Sequence, residues 1–122
     1  MSPKILVVDD NDRNRRLIRI ILKAKGYEVI EAATAEEAII QLKNEPIALI
    51  LMDIQLPKMD GLELTRTIKE NPDTKNIPII ALTAYAMKGD REKFLAAGCD
   101  GYIGKPVDTQ ELPNIIARFL GG

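Results

Sequence analysis

Histidine is absent from this 122-residue chain, and cysteine occurs once, as Cys99. Without imidazole there is no His-based general acid or base, no histidine phosphodonor and no zinc triad. A lone cysteine cannot close a disulfide within the chain, and its scarcity fits a reducing compartment, so a cytoplasmic location is expected. Charge of one sign is not in excess either. Seventeen Lys and Arg against eighteen Asp and Glu leave a formal net charge of -1, which gives no broad pull toward nucleic acid or an anionic membrane. No apolar run nears the roughly 20 residues that a membrane-spanning helix needs. The N-terminus has no secretory apolar region, because charge returns at Asp9 and Asp10. No repeat, low-complexity tract or Gly/Ser linker divides the chain.

What is present is a domain-sized, 46% apolar sequence, long enough to build one core without disulfides or structural metal. Short apolar runs alternate with amphipathic stretches. Strands are predicted at 4–8, 28–32, 48–52, 77–82 and, more weakly, 101–103. The first, third and fourth are almost continuously apolar, as parallel strands covered on both faces should be. Between the first two, Leu17, Ile20, Ile21 and Ala24 recur at helical spacing among Lys and Arg. Thr34-Ala-Glu-Glu37 has the form of a capping box, and Asp60 and Asp108 stand as looser caps before Glu63 and Glu111. Gly26 and Gly98 fall where helices should stop in a left-handed conformation. Pro113 lies just inside the last helix and predicts an irregular first turn. Strands alternating with helices give an open parallel α/β sheet, whose ligands bind beyond the carboxyl ends of the strands.

The residues after those strands carry the chemistry. The first strand runs into Asp9-Asp10, the third into Asp53, the fourth into Thr83 and the fifth into Lys105. In a parallel sheet these side chains converge on one edge. Three carboxylates in one pocket repel unless a cation sits among them. A donor set of oxygens alone favours a hard ion, with Mg2+ the first choice. A lysine and a hydroxyl facing that ion suit a bound phosphoryl group. Each residue alone has a plainer reading: an Asp after a strand can simply cap the next helix, Thr83 can be structural and Lys105 solvated. The combination at four separate strand ends is much more specific than its parts.

Over essentially its whole length the sequence resembles a response-regulator receiver domain of the CheY-like family. The resemblance rests on KILVVDDN, on LILMDIQLPKMDG around Asp53, and on IPIIALTAYAMKGDREKFLAAGCDGYIGKP, which ends in Lys105-Pro106. Within the family, DIQLP and LTAYAMKGD are similar to DivK-type single-domain regulators and to the receivers of hybrid sensor kinases. The resemblance implies a single domain over 1–122, with a five-stranded parallel sheet of order 2-1-3-4-5 and helices on both faces. It implies Asp53 as phosphoacceptor from a phosphohistidine on a histidine kinase or histidine phosphotransfer protein. Asp10 and Asp53 would then ligate Mg2+ directly, Asp9 mainly through water, and Gln55 through its backbone carbonyl. Thr83 and Lys105 would bind phosphoryl oxygens, and a cis peptide before Pro106 would aim Lys105 inward. Tyr102 would be the switch aromatic, against a plainer reading as a half-buried ring. Downstream action would pass through a protein target, with no nucleic-acid or membrane partner. No catalysis is expected beyond self-phosphorylation and self-dephosphorylation.

The first helix is strongly basic, through Arg13, Arg15, Arg16, Arg19, Lys23 and Lys25. Leu17 and Ile18 are adjacent, so both cannot centre one buried stripe. Ile18 is expected to be part-exposed and, with Arg15 and Arg19 around it, to help select the phosphodonor; a solvated charged face is the alternative. Two rivals to an independent receiver are a receiver excised from a hybrid kinase and a Mg2+-dependent aspartyl-phosphate phosphohydrolase. The second is weakened because the position two after Asp53 is Gln55, which cannot donate a carboxylic proton.

Overall fold

The computed structural model describes residues 2–54, 61–83 and 88–120, without the side chains of 88–91. In chain order the elements are β1 (Lys4–Val8), α1 (Asp12–Ala24), β2 (Glu28–Ala32), α2 (Ala35–Asn44) and β3 (Ile47–Asp53). They continue with α3 (Gly61–Glu70), β4 (Ile79–Thr83), α4 (Lys88–Ala97), β5 (Gly101–Gly104) and α5 (Glu111–Leu120). Among the described residues the strands form one sheet in the order β2-β1-β3-β4-β5, with every neighbouring pair parallel. The expected fold is the observed one.

Successive strand side chains point to opposite faces, and both faces here are apolar. Ile5, Val7, Leu49, Leu51, Ile80 and Leu82 meet Ile18 and Leu22 of α1 and Leu112 and Ile116 of α5. Leu6, Val8, Ile50, Met52, Ile79 and Ala81 meet Ala38 of α2, Leu64 and Ile68 of α3, and Phe94 of α4. This double burial explains why β1, β3 and β4 read as unbroken apolar runs. Cys99 is 4% exposed; burial pushes its thiol pKa up, which keeps it protonated and unreactive.

Three local expectations are refined. Glu37 does return to the backbone before α2, but its carboxylate accepts from Ala33 N–H (2.6 Å) while Thr34 Oγ1 accepts from Glu37 N–H (3.1 Å). β4 begins at Ile79 rather than 77, since Pro78 has no N–H to donate to a ladder. α5 begins at Glu111, so Pro113 is its third residue, where no intrahelical N–H bond is required. Gly26 and Gly98 have φ of 90° and 107° and end α1 and α4 as expected. The proposed Asp60 cap lies outside the described residues.

The rotation of α1 requires a correction. Ile18 is completely buried, whereas Leu17 and Ile20 are 40% and 58% exposed. Arg15, Ile18, Arg19 and Leu22 share one helix face by their i, i+3, i+4, i+7 spacing, and that face lies on the sheet. The adjacent apolar residues made two stripes possible. Contacts with β1 and two ion pairs to Glu31 of β2, from Arg15 (3.3 Å) and Arg19 (2.7 Å), select the stripe one residue on. Ile18 therefore cannot present itself to a partner, and Arg15 and Arg19 turn toward the sheet rather than toward a docking surface.

Candidate functional site

All the strands are parallel, so their carboxyl ends share one edge, and the register brings the predicted residues together there. Val8 pairs with Met52, Asp53 with Leu82, and Thr83 with Gly104. Asp9 and Asp10 directly follow β1, Asp53 and Thr83 end their strands, and Lys105 follows β5. Asp9, Asp53 and Thr83 are buried, and Asp10 is exposed at the mouth.

Asp9 is held from several sides. Its N–H donates to Ala32 O (3.0 Å), and its Oδ1 accepts from Asn11 N–H (2.8 Å) in an Asx turn. Asn11 also caps α1, its side-chain oxygen accepting from Asn14 N–H (3.0 Å). The other carboxylate oxygen, Asp9 Oδ2, is buried and has no hydrogen bond among the described residues; Lys105 Nζ stands 3.4 Å away. The same ammonium lies 3.2 Å from Asp53 Oδ2. Lys105 is positioned in turn by its N–H bond to Thr83 O (2.7 Å), and the peptide to Pro106 is cis, as expected.

Asp9, Asp10 and Asp53 each offer a carboxylate oxygen, and these oxygens lie within 4.8 Å of one another. Among the described residues, one ammonium against three carboxylates leaves two negative charges, the deficit a divalent ion fills. An orphaned buried oxygen and an all-oxygen donor set fit a hard cation. Gln55, expected to add its backbone carbonyl, lies outside the described residues.

A further requirement is set at Gly61, which opens α3. Its N–H donates to Ile54 O (2.9 Å). A Cβ built there would sit 2.2 Å from Asp53 O and 2.7 Å from Ile54 Cα. Only glycine can bring α3 this close to the strand end that carries Asp53. Tyr102, on edge strand β5, is 36% exposed and packs against Phe94 of α4 with ring centroids 6.3 Å apart.

The family pattern described as "Response regulator receiver domain" matches residues 5–117. The chain is a response-regulator receiver domain. It is thereby a protein of two-component signalling. The receiver is 40% identical over 121 residues to the polar-differentiation response regulator DivK of Brucella ovis, covering 99% of this chain and 98% of that one. Among solved structures it resembles the chemotaxis response regulator CheY4 of Vibrio cholerae, with a TM-score of 0.93 and 28% identity over 98% of this chain and 100% of that one. It also resembles the receiver domain of a sensor histidine kinase from Pseudomonas aeruginosa PAO1, with a TM-score of 0.90 and 38% identity over the whole of both chains. That structure has a magnesium ion coordinated in its active site cleft.

The acids, Thr83 and Lys105 of the receiver stand at the strand ends expected of them, and three further residues support them. Asn11 was legible as a cap residue just before a helix. Gly61 was visible as the glycine after Asp60, but its approach to Asp53 was not. Arg15, expected on a docking surface, instead donates from Nη1 to Asp9 O at 2.6 Å. No sequence signal distinguishes it from the other basic residues of α1. Among the described residues, no helix of the receiver is long and apolar enough to cross a membrane.

Proposed function

We propose that this receiver is a Mg2+-dependent phosphorylation switch in which Asp53 accepts a phosphoryl group from a phosphohistidine on a histidine kinase or phosphotransfer protein. The observation that carries this reading is the meeting of Asp9, Asp10 and Asp53 within 4.8 Å, with Lys105 Nζ 3.2 Å from Asp53. Asp9, Asp10 and Asp53 would hold the ion, with the Gln55 carbonyl as a further ligand. When bound, it supplies positive charge for the oxygens of the transferring group.

Asp53 acts as the nucleophile: one carboxylate oxygen bonds to phosphorus, the phosphorus–nitrogen bond of the donor breaks, and the imidazole leaves with that electron pair and takes a proton. A carboxylate needs no base, so the absence of histidine is no obstacle. Lys105 follows the new phosphoryl oxygens from its place beside Asp53, and Thr83 donates its hydroxyl to another. Alignment and neutralisation are most of what such a transfer demands. The phosphoryl group adds about -1.5 to -2 charges. Movement of Thr83 toward it opens room for the part-exposed Tyr102 to turn inward, with α4 and β5 as the readout.

The donor is proposed to pass over the outward face of α1, where Leu17 and Ile20 are exposed beside Arg13 and Arg16, since α1 starts directly after the acidic pair. The DivK relatives, matched over 98% of their length, support reading the receiver as a one-domain switch; action in the cytoplasm, on a protein target, belongs to the same proposal. Incubation with Mg2+ and acetyl phosphate followed by intact mass tests the chemistry. The parent gains one phosphate, and Asp53→Asn or added EDTA abolishes the gain. No gain in the parent from either acetyl phosphate or a phosphorylated donor protein refutes the assignment.

A further inference from the structure

Arg15 occupies a place that simple helix electrostatics disfavours. It lies near the N-terminus of α1, where backbone N–H groups repel a cation, and its side chain is only 14% exposed. Each of its three guanidinium nitrogens makes a hydrogen bond. Nη1 donates to the Asp9 carbonyl at 2.6 Å, Nε to Glu31 Oε1 at 3.3 Å, and Nη2 to the Asp12 carboxylate. Arg19 holds the second oxygen of Glu31 at 2.7 Å, which anchors the carboxylate that anchors Arg15.

The Asp9 carbonyl belongs to the peptide unit that joins Asp9 to Asp10. A planar peptide moves as one body, so holding its oxygen fixes the N–Cα bond of Asp10 and narrows the directions open to its side chain. Asp9 is already fixed through Ala32 and Asn11, whereas Asp10 is exposed and has no such bonds among the described residues. Arg15 is the group that spans the joint between them, and its planar fork can hold a carbonyl and a carboxylate at once.

We propose that Arg15, braced by Glu31, is a positioning residue for the divalent-cation site: it fixes the Asp9–Asp10 peptide so that Asp10 faces Asp9 and Asp53. This inference rests on the reading of the acidic cluster as a Mg2+ site. Loss of a group that orients a metal ligand weakens binding by about ten- to a hundredfold. Because Arg15 touches neither ion nor phosphoryl group, its loss raises the Mg2+ requirement and leaves the chemical step at saturating ion nearly unchanged.

The test compares the full-length parent with Arg15→Met, Arg15→Lys and Glu31→Gln, using calorimetric titration with Mg2+ alone. The rate of phosphorylation by acetyl phosphate as a function of Mg2+, and melting in EDTA, complete the comparison. In Arg15→Met, the dissociation constant and the half-saturating Mg2+ concentration rise about tenfold, while the plateau rate stays within about twofold. Arg15→Lys recovers part of the affinity, since one ammonium cannot span both acceptors. Glu31→Gln, which keeps Arg15 but loosens its brace, raises the constant in the same direction and serves as the test if Arg15→Met does not fold. A lower melting temperature with unchanged Mg2+ affinity overturns the role of Arg15 and leaves the cation site standing. A parent that binds no Mg2+ overturns both.

Discussion

Repulsion within the acidic cluster makes a two-sided prediction for Asp10→Asn. The three carboxylates offer oxygens within 4.8 Å of one another. At that separation and an effective dielectric of about 20, each like-charged pair opposes folding by about 3 kcal/mol. Among the described residues Asp10 holds no ion pair, so neutralising it relieves repulsion and breaks nothing. Its exposure to water reduces the gain to about 1 kcal/mol. For 122 residues, an unfolding entropy of about 2.1 cal/mol/K per residue converts 1 kcal/mol into about 4 °C. In EDTA the variant therefore melts about 4 °C above the parent. Mg2+ at about 100 times its dissociation constant stabilises the parent by about 2.7 kcal/mol, or about 10 °C, while the variant, lacking one ligand, responds much less. The order of stability reverses between EDTA and Mg2+, and thermal melts followed by circular dichroism read both halves. A variant that melts below the parent in EDTA, or a parent indifferent to Mg2+, refutes the argument that the ion relieves repulsion built into the fold.

Two more substitutions probe the frame around the site. Gly61→Ala places a methyl group 2.2 Å from the Asp53 carbonyl oxygen. It should lower stability by about 3 kcal/mol and slow acetyl-phosphate labelling of Asp53. Gly26→Ala meets no atom within 4 Å, so it costs about 1 kcal/mol from its positive φ alone and leaves labelling intact; equal labelling in the two variants refutes the close-approach account. Asp108 accepts from Gln110 and Glu111 N–H groups at 2.8 and 2.9 Å, and the bonds from Glu111, then Gln110, hold its pKa below the ordinary 3.8. A depressed carboxylate stabilises above its unfolded pKa and loses that contribution as pH falls through the folded value. The advantage of the parent over Asp108→Asn should thus hold at neutral pH and shrink below about pH 3.8; an advantage that persists there in denaturant titrations counts against the ionised cap.

Most of the architecture was legible along the chain because its signals are local. Continuous apolar runs at β1, β3 and β4 announce strands covered on both faces, Thr34 and Asp108 announce helix starts, and Gly26 and Gly98 announce ends. A parallel sheet then obliges Asp9, Asp53, Thr83 and Lys105 to meet, since each follows or ends a strand whose carboxyl end lies on the same edge. The rotation of α1 was not legible, because Leu17-Ile18 and Ile20-Ile21-Leu22 satisfy two helical stripes equally well. Contacts with Ile5 and Val7, and the pull of Glu31 on Arg15 and Arg19, chose between them. The same holds for Gly61 against the Asp53 carbonyl and for Arg15 on the Asp9 carbonyl. Both depend on partners brought close by packing, and no spacing along the chain encodes such a distance.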